Sequence, residues 1–333
     1  MAINKPQINQ DLDKNQLKEL ELLHERFNLL LMQIMENNNT DFAELDLSKI
    51  WQETESLKEI YGQLTDLKKC IDSFRPLNKP QLKNLQEAFD TEYTYESNRI
   101  EGNTLSLMET DLVINKGITV GGKTMQEHQE AINHKEAVLL IRRLAQKETE
   151  FDEKVLLDIH GIILHSIDSE NAGFYRRDRV RIQGSNHICP NPIKVPSLML
   201  AFFKFYQKDK DTMHPVELAS NVHEKLVSIH PFIDGNGRTA RLVMNLILLQ
   251  NGYPITIINS DRAKREEYYS ALETAHLSGN RENIDNTKFQ LLIAKYVKEW
   301  TFKYLNMFAP SIRDDAKNKG YYFFKKIESL LEK

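Results

Sequence analysis

His230-Pro231-Phe232-Ile233-Asp234-Gly235-Asn236-Gly237-Arg238-Thr239-Ala240-Arg241 opens directly onto the apolar run Leu242 to Leu249. A helix that starts near Arg238 puts its free N–H groups and the positive end of its dipole at the Gly-Asn-Gly turn, which favours an anion there. The glycines flanking Asn236 let the backbone approach a ligand closely and turn its N–H groups towards one point. Arg238 and Arg241 lie three apart on one helix face and can clamp successive phosphates. Asp234 precedes the turn, where a carboxylate suits Mg²⁺ held against the same phosphates. His230, with a free pKa of about 6.5, is the natural general base. Base, metal ligand, anion hole and charge clamp together suffice for phosphoryl or nucleotidyl transfer. Each part alone is ordinary; their joint occurrence carries the reading. No Gly-Lys-Ser/Thr completes a Walker loop, and His223, His230 and Asp234 fit no standard zinc spacing.

Working outward, the chain reads as mostly α. Towards the N-terminus, Leu82, Leu85, Phe89 and Tyr93 signal a helix that ends at Gly102-Asn103, residues suited to a left-handed C-cap. Glu101 then falls in the last turn, facing the negative end of the dipole, a mismatch of about 0.3–1 kcal/mol. Either it is a solvated surface glutamate, or it has a cationic partner elsewhere in the fold, with Ser97 one turn earlier helping to hold it. Thr104 to Gly122, with three glycines, reads as a turn-containing connection. Helices follow over Thr124–Ala145 and from the N-cap Asp152 through Ile167, where His160 and His165 read as structural. Arg179-Val180-Arg181-Ile182 alternates with the period of a strand, and Gly184-Ser185-Asn186 is turn chemistry before Ile188 and Cys189. That predicts one small β-hairpin, whose edge an extended peptide could join. Further helices span Pro196–Gln207, Pro215–Ser228, the run ending at Asn251-Gly252, a segment after Asp261, Phe289–Phe308 and Gly320–Leu331. The first residues add helical patterns over Leu17–Met35 and from about Leu47 to Ile71, and Arg75 to Pro80 reads as a linker.

Composition narrows the function classes. At 333 residues the chain can bury a substantial core. A net charge of -4 argues against a broad nucleic-acid face. Cys70 and Cys189 have no paired spacing, which argues against a disulfide framework or a zinc ribbon. No apolar run reaches membrane-span length and no signal-peptide pattern opens the sequence, so the expectation is a cytoplasmic protein with no membrane partner.

The central run resembles the signature of the Fic family, His-x-Phe-x-Asp/Glu-Gly-Asn-Gly-Arg-x-x-Arg, and matches it at every defined position. The resemblance extends from about Tyr95 to His276. Ser97-Asn98-Arg99-Ile100-Glu101-Gly102 is similar to the family's inhibitory motif, which places the chain with the class II members, and the hairpin with Val180, Arg181 and Ile182 resembles the target-docking flap. The resemblance implies a Fic-type helical bundle with one small β-hairpin, divided into an N-terminal helical extension (1–75), an inhibitory-helix region and connection (76–122), a Fic core (123–280) and a C-terminal helical tail (281–333). It implies transfer of AMP from ATP to a Ser, Thr or Tyr hydroxyl of a target protein. His230 would deprotonate the target, Asp234 would carry Mg²⁺, and Gly235, Asn236 and Gly237 would line the anion hole. Arg238 would contact the β-phosphate region and Arg241 the γ-phosphate, while Glu101 would restrain Arg241. Phe232 would anchor the motif in the core. Tyr269 resembles a nucleotide contact; His276 stands where some relatives carry Asn. Partners implied are ATP and a protein substrate, with a homodimer left open. Two rival functions share these residues: hydrolytic removal of AMP from a modified protein, and a non-catalytic protein-binding module.

Overall fold

The computed structural model describes residues 53–73, 79–182, 184–277 and 285–308. Among these residues there are ten α-helices and no strand: α1 (Leu57–Ser73), α2 (Lys79–Ile100), α3 (Leu107–Lys116), α4 (Met125–Gln146), α5 (Glu153–Leu164), α6 (Val195–Asp209), α7 (Pro215–Ile229), α8 (Asn236–Gln250), α9 (Arg262–Leu277) and α10 (Thr287–Phe308). The chain separates into two compact units, one of Met1–Leu85 with Val297–Lys333 and one of Gln86–Tyr296. The second holds the whole central run. Among the described residues no helix is long and apolar enough to cross a membrane.

Helix α8 is the axis of the second unit. Every residue from Arg238 to Leu248 is buried, and the helix packs against α7, α4 and α5. A helix apolar on all sides belongs in a core. Beyond Arg238, Thr239 and Arg241 in its first turns, the buried polar residue of this helix is Asn245: the side chain accepts from the Thr256 N–H at 2.7 Å and donates to the Thr256 carbonyl at 2.9 Å. It thereby replaces the ladder partner that the extended segment after α8 would otherwise lack.

The helix ends follow local chemistry. Thr124 caps α4 in a reciprocal box with Glu127, and Asp152 accepts the Val155 N–H at 2.8 Å to start α5. At the end of α2 the Asn103 N–H bonds the Asn98 carbonyl at 3.1 Å and the Gly102 N–H bonds the Arg99 carbonyl at 3.0 Å. This Schellman closure uses Gly102 at φ +102° and leaves Glu101 as the last residue before the chain turns.

Three expectations change. The connection from Thr104 to Gly122 contains α3, started by a Ser106–Glu109 capping box and ended by Gly117 at φ 65°. The helix expected from about Leu47 begins at Leu57, and residues 53–56 are not helical. The predicted hairpin around Val180, Arg181 and Ile182 forms no β ladder among the described residues. Its turn is present, with Gly184 at φ +77° and the Ser185 N–H on the Ile182 carbonyl at 3.3 Å. The polar groups of its arms bond elsewhere: Ser185 Oγ and the Asn186 N–H donate to Glu273 of α9, and His187 Nε2 donates to the Ser228 carbonyl at 2.8 Å. Exposure alternates along 179–182 and along 184–189, without a partner strand among the described residues. The helical patterns over Leu17–Met35 and Gly320–Leu331, and most of the Arg75–Pro80 linker, lie outside the described residues.

Thr124→Ala removes one half of the capping box and is expected to lower the unfolding free energy by about 1 kcal/mol. Met125→Lys, at a side chain 75% exposed, is expected to change it by less than about 0.5 kcal/mol. Urea unfolding followed by circular dichroism measures both.

Candidate active site

The site begins where α7 stops. His230 is its C-cap, in the left-handed region at φ 51° and ψ 59°, with its N–H on the Leu226 carbonyl at 3.0 Å. A residue with a Cβ costs about 1–2 kcal/mol in that region, so its neighbours must hold it there. Arg176 does so twice: its Nε donates to the His230 carbonyl at 2.7 Å and its backbone N–H to the Pro231 carbonyl at 2.9 Å. The His230 Nδ1 lies 3.2 Å from the Val227 carbonyl. A carbonyl only accepts, so the ring hydrogen sits on Nδ1 and Nε2 keeps its lone pair. Burial pushes the imidazole pKa down to about 4; the Val227 bond opposes this, Arg176 and His187 add to it, and Glu101 opposes it. His230 is therefore neutral at neutral pH.

The loop after His230 is fixed from several sides. Phe232 is fully buried and stacks flat on His160, with ring centroids 3.6 Å apart and planes 8° from parallel. His160 accepts the Gly173 N–H on Nδ1 at 3.0 Å and donates from Nε2 to the Asp234 carbonyl at 3.0 Å. Burial holds its pKa at about 4, which keeps that tautomer neutral. The Asn236 amide accepts the Phe232 N–H at 3.0 Å and donates to the Phe232 carbonyl at 2.9 Å. Gly235 has φ +74°, and a Cβ there would lie 3.1 Å from Ile163 Cγ2.

Five charges converge on the first turns of α8. Arg241 is 1% exposed; its Nε donates to Ser97 Oγ at 3.0 Å and its Nη2 to the Ser97 carbonyl at 2.9 Å and Glu101 Oε1 at 2.7 Å. Burial alone would lower the Arg241 pKa, but Glu101 and the Tyr268 and Tyr93 phenols outweigh it and raise it. The Glu101 carboxylate lies against the first turn of α8, since a Cβ at Gly237 would collide with its Oε1 and sit 3.1 Å from Arg241 Nη1. Arg238 is held between Asp234, at 3.1 Å, and Glu130, at 3.6 Å. The Asp234 side chain is 60% exposed.

Residues 150–248 match the sequence pattern of the Fic/DOC family. The chain carries a Fic domain. It is similar to proteins named protein adenylyltransferase Fic from Drosophila erecta, 37% identical over 186 residues, and Drosophila grimshawi, 34% identical over 214 residues. These matches cover 56% and 64% of this chain but 37% and 43% of those proteins, so the chain spans about two fifths of the length of the curated relatives it matches. Among solved structures it resembles Fic-1 of Caenorhabditis elegans, with a TM-score of 0.66 and 27% identity over 89% of this chain and 87% of that one. A Fic-domain signaling protein from Bacteroides thetaiotaomicron shares the fold, with a TM-score of 0.67 and 24% identity, covering 78% of this chain and 99% of that one.

The structure gathers His230, Asp234, Gly235, Gly237, Arg238 and Arg241, all within the matched residues 150–248, with Ser97 and Glu101 from the end of α2 around one helix end. Ser97 differs from its expected partner, and three further residues make contacts that the sequence left open. Ser97 holds Arg241 rather than Glu101, because the guanidinium has donors to spare and a serine offers it two acceptors. The Asn236 side chain bonds the loop backbone at Phe232. Tyr269 donates to the Ile100 carbonyl at 3.0 Å beneath Arg265 and is 41% exposed. His276 is buried with its Nε2 3.7 Å from Glu224 Oε1 and its ring 4.4 Å from that of His187. Val180 and Ile182 are half-buried and Arg181 is exposed. Sequence reasoning read His160 as structural without giving it a partner and passed over Arg176. Their partners are main-chain groups far along the chain, and only the buried setting of a histidine and an arginine beside glycine turns hinted at them.

His160→Phe preserves the stack on Phe232 but leaves the Gly173 N–H and the Asp234 carbonyl without their partner. A stability loss of about 1–3 kcal/mol is expected by chemical denaturation.

Proposed function

We propose that the Fic domain transfers AMP from ATP to a Ser, Thr or Tyr hydroxyl of a protein and that Glu101 restrains it. The observation that carries this reading is the Glu101–Arg241 ion pair at the N-terminus of α8. A helix N-terminus flanked by glycines and two buried arginines is built for a polyphosphate, and a carboxylate is lodged in it. Arg241 is the cation that the γ-phosphate would take, so bound Glu101 and a correctly seated triphosphate exclude each other. Without that anchor the α-phosphate sits out of line for attack.

The reaction follows from the tautomer of His230. Its Nε2 lone pair takes the proton of the target hydroxyl as the oxygen attacks the α-phosphorus. The bond from that phosphorus to the bridging oxygen breaks and pyrophosphate leaves. A pKa of about 4 is low for a base working near neutrality, but the negative charge of a triphosphate in the adjacent hole raises it. The exposed Asp234 carboxylate fits Mg²⁺ as its one protein ligand. Among the described residues no three acidic or histidine side chains form a metal cage, and Mg²⁺ commonly binds through one or two carboxylates with substrate phosphates and water. Bound there, the ion would neutralise phosphate charge. The remaining assignments of the reading are contact of Arg238 with the β-phosphate region, nucleotide contact by Tyr269 and docking of the target along the segment with Val180, Arg181 and Ile182.

Glu101→Gly is expected to raise self-labelling by α-phosphate-labelled ATP by about tenfold or more, since a restored in-line geometry is worth at least that. His230→Ala in the same background is expected to abolish it. Gel autoradiography checks both, and labelling indifferent to both substitutions would sink the assignment. Wild-type release of AMP from a pre-modified protein, lost in Glu101→Gly, would instead establish the hydrolytic reading.

A further inference from the structure

Arg176 is an arginine without a counter-ion. It is 3% exposed, and among the described residues no carboxylate pairs with it. Its donors go to main-chain oxygens: Nε to His230 at 2.7 Å, Nη1 to Asp178 at 2.9 Å and Nη2 to Pro190 at 2.7 Å. With its own N–H on the Pro231 carbonyl, one residue grips both stems of the 178–190 loop and two successive carbonyls at the catalytic turn. Burying an unpaired cation is costly, and a lysine or an amide could bind one of these oxygens without that penalty. What only a guanidinium supplies is three fixed directions at once. The His230 backbone, held in the left-handed region against its preference, is the element that needs such over-determination.

We propose that Arg176 is the positioning residue for His230, clamping the catalytic turn to the base of the 178–190 loop so that transfer depends on it although it touches neither nucleotide nor target hydroxyl. The inference rests on the transfer reading above and deepens it. Arg176 also acts on the His230 ring through space. The groups that face that ring are the Val227 carbonyl of its own helix, Arg176 and His187 from the loop, His276 from α9 and Glu101 from the end of α2. Arg176 is the permanent cation among them and disfavours the imidazolium. Removing its charge therefore raises the His230 pKa, so the acid limb of the rate moves to higher pH. A purely structural arginine would not move that limb.

The test uses the full-length chain in the Glu101→Gly background, so that Glu101 is absent from every arm. Self-labelling rates are measured against ATP concentration from about pH 5 to pH 8, the window in which a histidine can change charge. For Arg176→Gln the expected result is a loss of about tenfold or more in maximal rate, half-saturating ATP within about threefold, and an acid limb displaced to higher pH than the parent's. Arg176→Lys keeps the charge and loses the fork; it should lose rate but keep the parent's pH profile, and it carries the test if the glutamine variant does not fold. Maximal rates within about twofold of the parent, or a defect confined to half-saturating ATP, would overturn the proposal. If the parent itself does not label, the transfer reading fails on its own. The inference is then decided by the His230 ring titration in histidine-labelled protein by NMR: an upward shift in Arg176→Gln supports it, and an unmoved midpoint rejects it.

Discussion

The Glu101–Arg241 ion pair is the interaction on which the second unit turns, because it sets two helix ends against each other. A carboxylate at the C-terminal end of α2 is opposed by that helix's own dipole by about 0.3–1 kcal/mol. The same carboxylate lies at the N-terminal end of α8, where the sign reverses and the mismatch is offset. Arg241 is almost fully buried while Glu101 is about one third exposed. The cation is therefore fixed by the core, with Ser97 retaining it on two sides, and the anion is the member that can leave. The proposed restraint and its release would both follow from that difference in burial.

Around this pair the polar network is directed at main-chain atoms. His160 bonds Asp234 and Gly173, Asn236 bonds Phe232, and Arg176 bonds His230, Asp178 and Pro190. None of these side chains carries a compensating charge pair, and each fixes backbone that a helix or sheet would otherwise fix. A loop whose N–H groups must point at a ligand cannot spend them on a ladder, so its carbonyls and its entry geometry are held by side chains instead. The neutral state of the two histidines comes from the same burial: both pKa values are pressed to about 4. The protein interior selects the tautomer by offering one carbonyl to each ring.

Much of this was legible in the sequence. The motif announced its helix N-terminus, and the caps at Asp152 and Gly102 were read from single residues. Glu101 stood out because a carboxylate in the last helical turn conflicts with local physics, and such conflicts mark sites. Helix α3 was missed although Ser106-x-x-Glu109 is a capping box, because the glycines around it suggested a loop. The hairpin was over-read: alternation reports which side of an extended segment is exposed and carries no information about a partner strand. The loop contacts of His160, read only as structural, and of Arg176 were missed for a deeper reason. Their bonds reach 74 and 54 residues along the chain to carbonyl oxygens, and a carbonyl oxygen has no residue type.

The three buried arginines show why one of them can serve as a switch. Arg176 is neutralised by no charge but by carbonyl dipoles that belong to the fold, so nothing can displace its partners without unfolding the turn. Arg238 shares Asp234 and Glu130, so loss of one carboxylate to a metal ion leaves the other in place. Arg241 has a single carboxylate, held by the end of one helix. Exchanging that carboxylate for a phosphate oxygen conserves local charge and hydrogen-bond count, so the desolvation already incurred by Arg241 is not incurred again. The equilibrium between the two occupants then depends on their difference in affinity alone; about 5.5 kcal/mol would carry it from nearly all one state to nearly all the other. Such a difference is within reach of a few charge-assisted hydrogen bonds at about 1.5–3 kcal/mol each.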